Sequence, residues 1–357
     1  MVKMDLSFYK GKKVLITGHT GFKGSWLCQI LLKLGAEVCG IGLYPDTDPS
    51  LFQILGLESK IENHYLDIRE YGAVKEIFDT FKPEIVLHLA AQPLVIESYR
   101  DPRYTYEVNV MGTVNICECV RSSKSVKSFI NVTTDKVYEN IEDPSHYYRE
   151  DEKLNGYDPY SNSKSCSDLI TQAYIRSFYK DGTIAVSICR AGNVIGGGDY
   201  ADNRIIPDCV RAAMSHQAVQ IRNPNSYRPY QHVLEADVFY LMLAMKQYED
   251  PCLAGFYNIG PDDKDCISTG QLVRMFTENW PQAEYEIASS DGLHEANFLK
   301  LDSSKARKEL LWHPVWNVEY AVRKTVEWYR AFSMQEDMDV VTDRQISEYL
   351  EQCYEME

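Results

Sequence analysis

Tyr160 and Lys164 stand four residues apart in the 357-residue sequence, a Y-x-x-x-K pair that shares one face if the segment is helical. A phenol has an ordinary pKa near 10. To act as a base near neutrality it must come down by roughly three units, which costs about 4 kcal/mol of differential interaction. A lysine ammonium beside the ring supplies part of that. Such pairs arise often by chance, but this one follows a strand-like run that ends in Thr133-Thr134-Asp135-Lys136. The Thr134 hydroxyl can hydrogen-bond a substrate hydroxyl undergoing oxidation. Asp135 and Lys136 put a carboxyl and an amine at the same point, a natural acid/base pair. Read without its surroundings, Asp135-Lys136 is equally a salt-bridged turn after a strand.

A second group of residues lies near the N-terminus. The run GHTGFKG sets Gly18, Gly21 and Gly24 between the strand-like KVLIT (13–17) and a helical stretch. Glycine there permits a tight turn and lets backbone N–H groups approach a pyrophosphate at the positive end of a helix. The spacing is G-x-x-G-x-x-G, a variant of the usual dinucleotide fingerprint. The positive charge of an oxidised nicotinamide bound there would help lower the tyrosine pKa. Phe22 belongs to the same loop. His19 and Lys23 either meet a phosphate or are solvated polar residues of the loop. After the second strand-like run the chain reads IGLYPDTDP, with no acid before Asp46 and no arginine, so this position does not separate NAD from NADP. Asp67 and Ile68 suit an adenine-edge contact, although Asp67 would serve equally as a helix N-cap.

These residues need a frame. Apolar runs of strand length recur at 13–17, 37–42, 84–90, 128–134 and 184–189, separated by segments of helical period. One such segment, Lys23 to Leu34, carries Trp26, Leu27, Ile30, Leu31 and Leu34 on one face and stops at Gly35. Strands that are apolar throughout, alternating with helices, predict a Rossmann-like, doubly wound parallel α/β sheet covered on both faces. Thr134 then falls at the carboxyl end of a strand, where open α/β sheets bind ligands. From about Ala191 short strand-like pieces mix with helices and turn residues, which predicts a smaller α/β lobe for the substrate. The expected division is a cofactor domain over 1–190, to which 233–262 returns, a substrate lobe over 191–232 and 263–335, and a helical tail over 336–357.

The formal net charge of −15 argues against nucleic acid or an anionic membrane surface as partner. Apolar residues make up 45% of the chain, yet no run reaches the length of a membrane helix or a secretory leader, so a soluble cytoplasmic protein is expected. Ten scattered cysteines without a C-x-x-C pair give no reason to expect a disulfide framework or a metal site.

The glycine loop, LHLAAQ (87–92), NVMGT (109–113), TTDK, Y-x-x-x-K and RAGNVIGGGD (190–199) together resemble the extended short-chain dehydrogenase/reductase family. TDKVYEN, GHTGFKGSW and RPYQHVLE (228–235) are most similar to its CDP-glucose 4,6-dehydratase branch. The resemblance implies NAD as cofactor, held by the loop and by Leu89, Ala90, Ala91, Asn109, Thr133, Tyr160 and Lys164. It implies that Tyr160 takes the proton of the sugar's 4-hydroxyl and that Thr134 positions the sugar. Asp135 would protonate the departing 6-hydroxyl, and Lys136 stands where related dTDP-glucose dehydratases carry a glutamate base. Gln92, Asn193, Arg204, Ile205, Arg228 and His294, with Glu295 beside it, are the implied substrate contacts. The implied reaction converts CDP-glucose to CDP-4-keto-6-deoxyglucose. An epimerase or decarboxylase of nucleotide-sugars, another NDP-glucose 4,6-dehydratase and a non-catalytic dinucleotide sensor are the rival readings. A homodimer through helices near 101–121 and 159–180 is expected by analogy.

Overall fold

The computed structural model describes residues 5–180, 182–221, 223–280, 282–287 and 298–355. Seven parallel strands form its main sheet: β1 (Lys13–Thr17), β2 (Glu37–Gly42), β3 (Glu62–Tyr65), β4 (Ile85–His88), β5 (Ser128–Thr134), β6 (Ala185–Ala191) and β7 (Phe256–Ile259). Their order is β7-β6-β5-β4-β1-β2-β3. The chain therefore runs outward from β1 to one edge, returns, and builds the other half, which leaves a switch point beside β1 and β4. This is the doubly wound Rossmann-like fold that the apolar runs predict.

Side chains that alternate along β1 feed two cores. Val14 and Ile16 join Trp26, Leu27 and Ile30 of α1 (Phe22–Lys33) on one face. Leu15 joins Val74 and Phe78 of α2 (Tyr71–Phe81), together with Ile116 and Val120 of α3 (Thr113–Ser122), on the other. Helix α4 (Pro159–Phe178) packs on that second face next to α3. Burying strands on both sides explains why they read as uninterrupted apolar runs.

Two features depart from the sequence expectation. β3 reads ENHY, a half-exposed edge strand with no apolar signature. The helix expected over 101–121 is instead Pro102–Tyr106, a π turn at Glu107–Gly112 and then α3.

Beyond β6 the chain forms α5 (Ile205–Met214), α6 (Val233–Glu249), α7 (Thr269–Asn279) and α8 (Val318–Ser333). α6 returns to pack against α1, and β7 hydrogen-bonds β6. Short strand pairs such as Tyr227–Pro229 with Cys266–Ser268 frame the smaller lobe. The tail helix α9 (Met338–Glu355) docks on its own chain. Gln29 donates to Asp343 at 3.0 Å, and Trp328 donates to Thr342 at 3.0 Å.

Candidate active site

A cleft of about 710 Å³ runs across the carboxyl ends of the strands, between the sheet and the smaller lobe. Its floor is the glycine loop. Gly18 adopts φ +76°, and a Cβ there would stand 2.7 Å from the Ala90 nitrogen. A Cβ on Gly24 would lie 2.2 Å from the Gly18 carbonyl oxygen. The first and third glycines therefore fold the loop onto its neighbours, as a side chain at either would forbid. Gly21 is the N-cap of α1 and offers no capping side chain, so the first-turn N–H groups of a twelve-residue helix lack a side-chain acceptor. A pyrophosphate satisfies such donors.

Gly18, Gly21, Phe22, Lys23 and Gly24 all line the cleft. His19 does not. Its ring is fully buried beneath the loop, where it contacts Asn63 at 2.6 Å and fills the space a side chain at Gly40 would need. Burial lowers its pKa, so it is held neutral. The expectation of a phosphate-facing His19 is corrected: its side chain props the β2–β3 side of the loop. Lys23 is at the wall, donates to the Tyr240 hydroxyl at 3.2 Å, and has its ammonium form disfavoured by burial.

Asp67, Ile68, Leu89, Ala90 and Ala91 line the far end of the cleft. Asp67 is tied to Arg69 by a 2.8 Å ion pair that holds its carboxyl below the ordinary range. Asn109 and Gln92 sit behind this wall, locked together. The Gln92 backbone N–H donates to the Asn109 carboxamide at 2.8 Å, Asn109 donates to Ser163 at 2.8 Å, and Gln92 donates to Thr105 at 2.9 Å. Both were expected as ligand contacts. Their side chains are spent on joining the π turn to α4 and to the loop after β4.

The chemistry-bearing residues converge where β5 ends. Asp158 caps α4 by accepting from Ser161 N at 2.9 Å, and Pro159 opens the helix, which puts Tyr160 in its first turn and Lys164 one turn on. Thr133, Thr134, Asp135, Lys136, Tyr160 and Lys164 all line the same cleft. The Thr134 hydroxyl donates to Asp135 Oδ1 at 2.9 Å. Burial drives the Tyr160 pKa up to about 12, opposed by the neighbouring Thr134 hydroxyl and by the charge of Arg204. Asp135 is 1% exposed and its pKa is raised by burial, opposed by Lys136, Thr134 and Arg228. Its Oδ2 has no hydrogen-bond partner among the described residues. Lys164 donates to the Val132 carbonyl at 2.8 Å, and burial, helped by the charge of Lys23, lowers its pKa to about 8.

The lobe side of the cleft carries Asn193, Arg204, Ile205 and Arg228. Arg204 pairs with Asp199 at 3.0 Å, so Asp199, which the sequence reading passed over, orients the arginine at the wall. Its signal was the acid closing the GGGD turn five residues earlier. Tyr44, Asp46 and Asp158 also line the cleft and were not foreseen as lining residues. His294 and Glu295 lie outside the described residues.

A family model described as GDP-mannose 4,6 dehydratase matches residues 15–325. The chain belongs to this family. The CDP-glucose 4,6-dehydratase of Salmonella typhimurium is 44% identical over 354 residues, covering 97% of this chain and 98% of that protein. Among solved structures, the UDP-glucose 4-epimerase of Thermotoga maritima with UDP-glucose has a TM-score of 0.77 at 22% identity, over 90% of this chain and 99% of its own. The dTDP-glucose 4,6-dehydratase of Bacillus anthracis in complex with NAD has a TM-score of 0.73 at 20% identity, over 92% and 100%. Both share the fold of this protein.

Proposed function

We propose that the protein is an NAD-dependent hydro-lyase that converts CDP-glucose to CDP-4-keto-6-deoxyglucose. The observation that carries this reading is the meeting, in one cleft, of an uncapped glycine-loop helix with Thr134, Asp135, Lys136, Tyr160 and Lys164. The 44% identity with the Salmonella CDP-glucose 4,6-dehydratase supports the substrate class and the base.

The cleft suits NAD. The first-turn amides of α1, with Lys23, would hold the pyrophosphate, Asp67 and Ile68 the adenosine end, and Lys164 the nicotinamide ribose. When bound, NAD would supply the hydride acceptor for sugar carbon 4 and the hydride donor for carbon 6. The protein's own groups manage the protons. Tyr160 takes the proton of the 4-hydroxyl, and Thr134 sits beside it to orient the sugar. The new ketone acidifies carbon 5. Lys136 is the base assigned to that proton and acts only when its amine is neutral. Asp135, buried and with its pKa raised, is the acid assigned to release the 6-hydroxyl as water. Arg204 and Arg228 offer guanidinium groups to the diphosphate.

A non-catalytic sensor would have no use for a buried acid beside a tyrosine–lysine pair. An epimerase would have no departing hydroxyl for Asp135 to protonate. We further assign the protein to the cytoplasm and to a homodimer through α3, the π turn and α4, where Met111, Leu169 and Phe178 are exposed. Sedimentation velocity giving a monomer at micromolar concentration would refute the dimer.

Mass spectrometry of the product from CDP-glucose, with dTDP- and GDP-linked sugars alongside, tests the reading. Loss of one water from the CDP sugar, without net reduced cofactor, is expected. An unchanged mass with an inverted sugar centre would mean epimerase.

A further inference from the structure

Three side chains with the chemistry of metal ligands meet at the edge of the main sheet, and none of them lines the cleft. Glu62 and His64 stand two residues apart on the edge strand β3, so they project to the same side. Cys39 of β2 lies directly opposite Glu62 in the parallel register, with Ile41 opposite His64, which puts Cys39 on that side as well. The sequence hides the group, because the thiol and the carboxyl are 23 positions apart and only strand pairing joins them.

Two contacts converge on one oxygen. The Cys39 thiol donates to Glu62 Oε1 at 3.9 Å, and His64 Nε2 contacts the same oxygen at 3.0 Å. Sulfur, oxygen and nitrogen all lie within 4.8 Å of one another, and among the described residues no other group of His, Cys, Asp or Glu side chains gathers three ligand atoms so closely. Around a tetrahedral zinc ion such atoms are about 3.3–3.5 Å apart, a spacing that the two contacts bracket. Cys39 is fully buried and fixed in the core with Leu15 and Val74, whereas the Glu62 and His64 side chains are 47% and 34% exposed and free to turn. One rigid ligand therefore comes from the core and two adjustable ones from the edge, and the solvent side stays open to water.

We propose that Cys39, Glu62 and His64 form a zinc site, completed by water, that pins the edge strand β3 to β2. The donor set selects the metal: thiolate, imidazole and carboxylate together suit zinc, while magnesium and calcium take oxygen ligands. As the metal–sulfur bond forms, the thiol proton leaves to solvent, and neutral His64 offers the Nε2 lone pair with its proton on Nδ1. Thiolate and carboxylate then balance the two charges of the ion. The pin lies where the sheet is weakest, since β3 reads ENHY and adds little to either core. Asn63, between the two edge ligands, faces the other way and contacts His19 at 2.6 Å. Securing β3 thus secures the prop beneath the glycine loop. The site is independent of the dehydration reading.

Cobalt(II), a spectroscopic substitute for zinc, tests the site in holoenzyme first dialysed against a chelator. One equivalent should bind and give a thiolate-to-cobalt charge-transfer band in the near ultraviolet, which zinc then removes. Cys39→Ser should abolish the band. Glu62→Gln and His64→Gln should each weaken cobalt binding at least about tenfold, the low end for disturbing a metal site. Zinc at a hundred times its Kd should raise the Tm of the metal-free holoenzyme by about 5 °C, and the same zinc concentration should raise that of His64→Gln by less. If Cys39→Ser fails to fold, the two exposed edge variants still decide the matter. No thiolate band at millimolar cobalt would overturn the site. So would a band that survives in Cys39→Ser, or an affinity unchanged in both Glu62→Gln and His64→Gln, either of which would place the metal on another cysteine such as the exposed Cys252.

Discussion

At the scale of single residues, burial is the strongest force in the site. It raises the phenol of Tyr160 and the carboxyl of Asp135, and it lowers the amine of Lys164 to about 8. Each shift favours the neutral form, because a low-dielectric cleft penalises every unpaired charge. A pyrophosphate and a nicotinamide ring arriving in the cleft change those charges. Tyr160→Phe keeps the ring and removes the oxygen proposed to take the proton of the 4-hydroxyl. Turnover should fall at least about a hundredfold, while NAD affinity by calorimetry stays within a few-fold, since the anchors proposed for the cofactor, on α1 and at Asp67, Ile68 and Lys164, are untouched. Turnover near the wild-type rate would take the tyrosine out of the mechanism.

At the scale of elements, helix α4, which carries Tyr160 and Lys164, is fixed by a buried ion pair. Arg190 at the end of β6 makes two bonds to Asp168 of α4, at 2.8 and 3.0 Å, and both side chains are wholly buried. The same guanidinium donates to the Tyr138 hydroxyl at 2.8 Å. Asp168→Asn strips the charge from one partner and strands the other, a change that typically costs about 3–5 kcal/mol. Denaturant unfolding should show that loss; a change under about 1 kcal/mol would mean the pair does not hold α4. What the sequence let one read follows from how elements advertise themselves. β1, β2, β4, β5 and β6 are apolar along their length because both faces are covered, and the Y-x-x-x-K and TTDK runs fall at strand and helix ends that such a sheet makes reactive. β3 carries no such mark, since an edge strand reading ENHY needs little core. The π turn at Glu107–Gly112 has no periodicity of its own to betray it. His19, Asn109 and Gln92 were misplaced for a related reason: polar residues in motifs next to a site read as ligands, whereas these three brace the wall from behind.

At the scale of the whole molecule, the C-terminal tail is joined to the sheet domain through a buried acid. Glu235, in the first turn of α6, accepts from Val315 N at 3.0 Å, from Trp316 N at 2.7 Å and from the Tyr349 hydroxyl of α9 at 2.7 Å. One carboxyl thus gathers α6, the segment leading into α8, and the tail helix. Burial outweighs these three donors and pushes its pKa up to about 7. The folded protein therefore holds a proton on Glu235 that the unfolded chain, with an ordinary carboxyl, has released. That linkage favours folding fully below pH about 4.5, and the benefit fades as pH rises through 7. A gap of about 2.5 units corresponds to about 3 kcal/mol. Glu235→Gln cannot titrate, so it isolates this contribution from every other group. Between pH 5 and pH 8 the unfolding free energy of the wild type should fall relative to that of Glu235→Gln by most of that amount, read from denaturant curves at the two pH values. A difference between the two proteins that stays constant with pH would mean that Glu235 is already ionised in the fold, with its three donors and not burial setting its state.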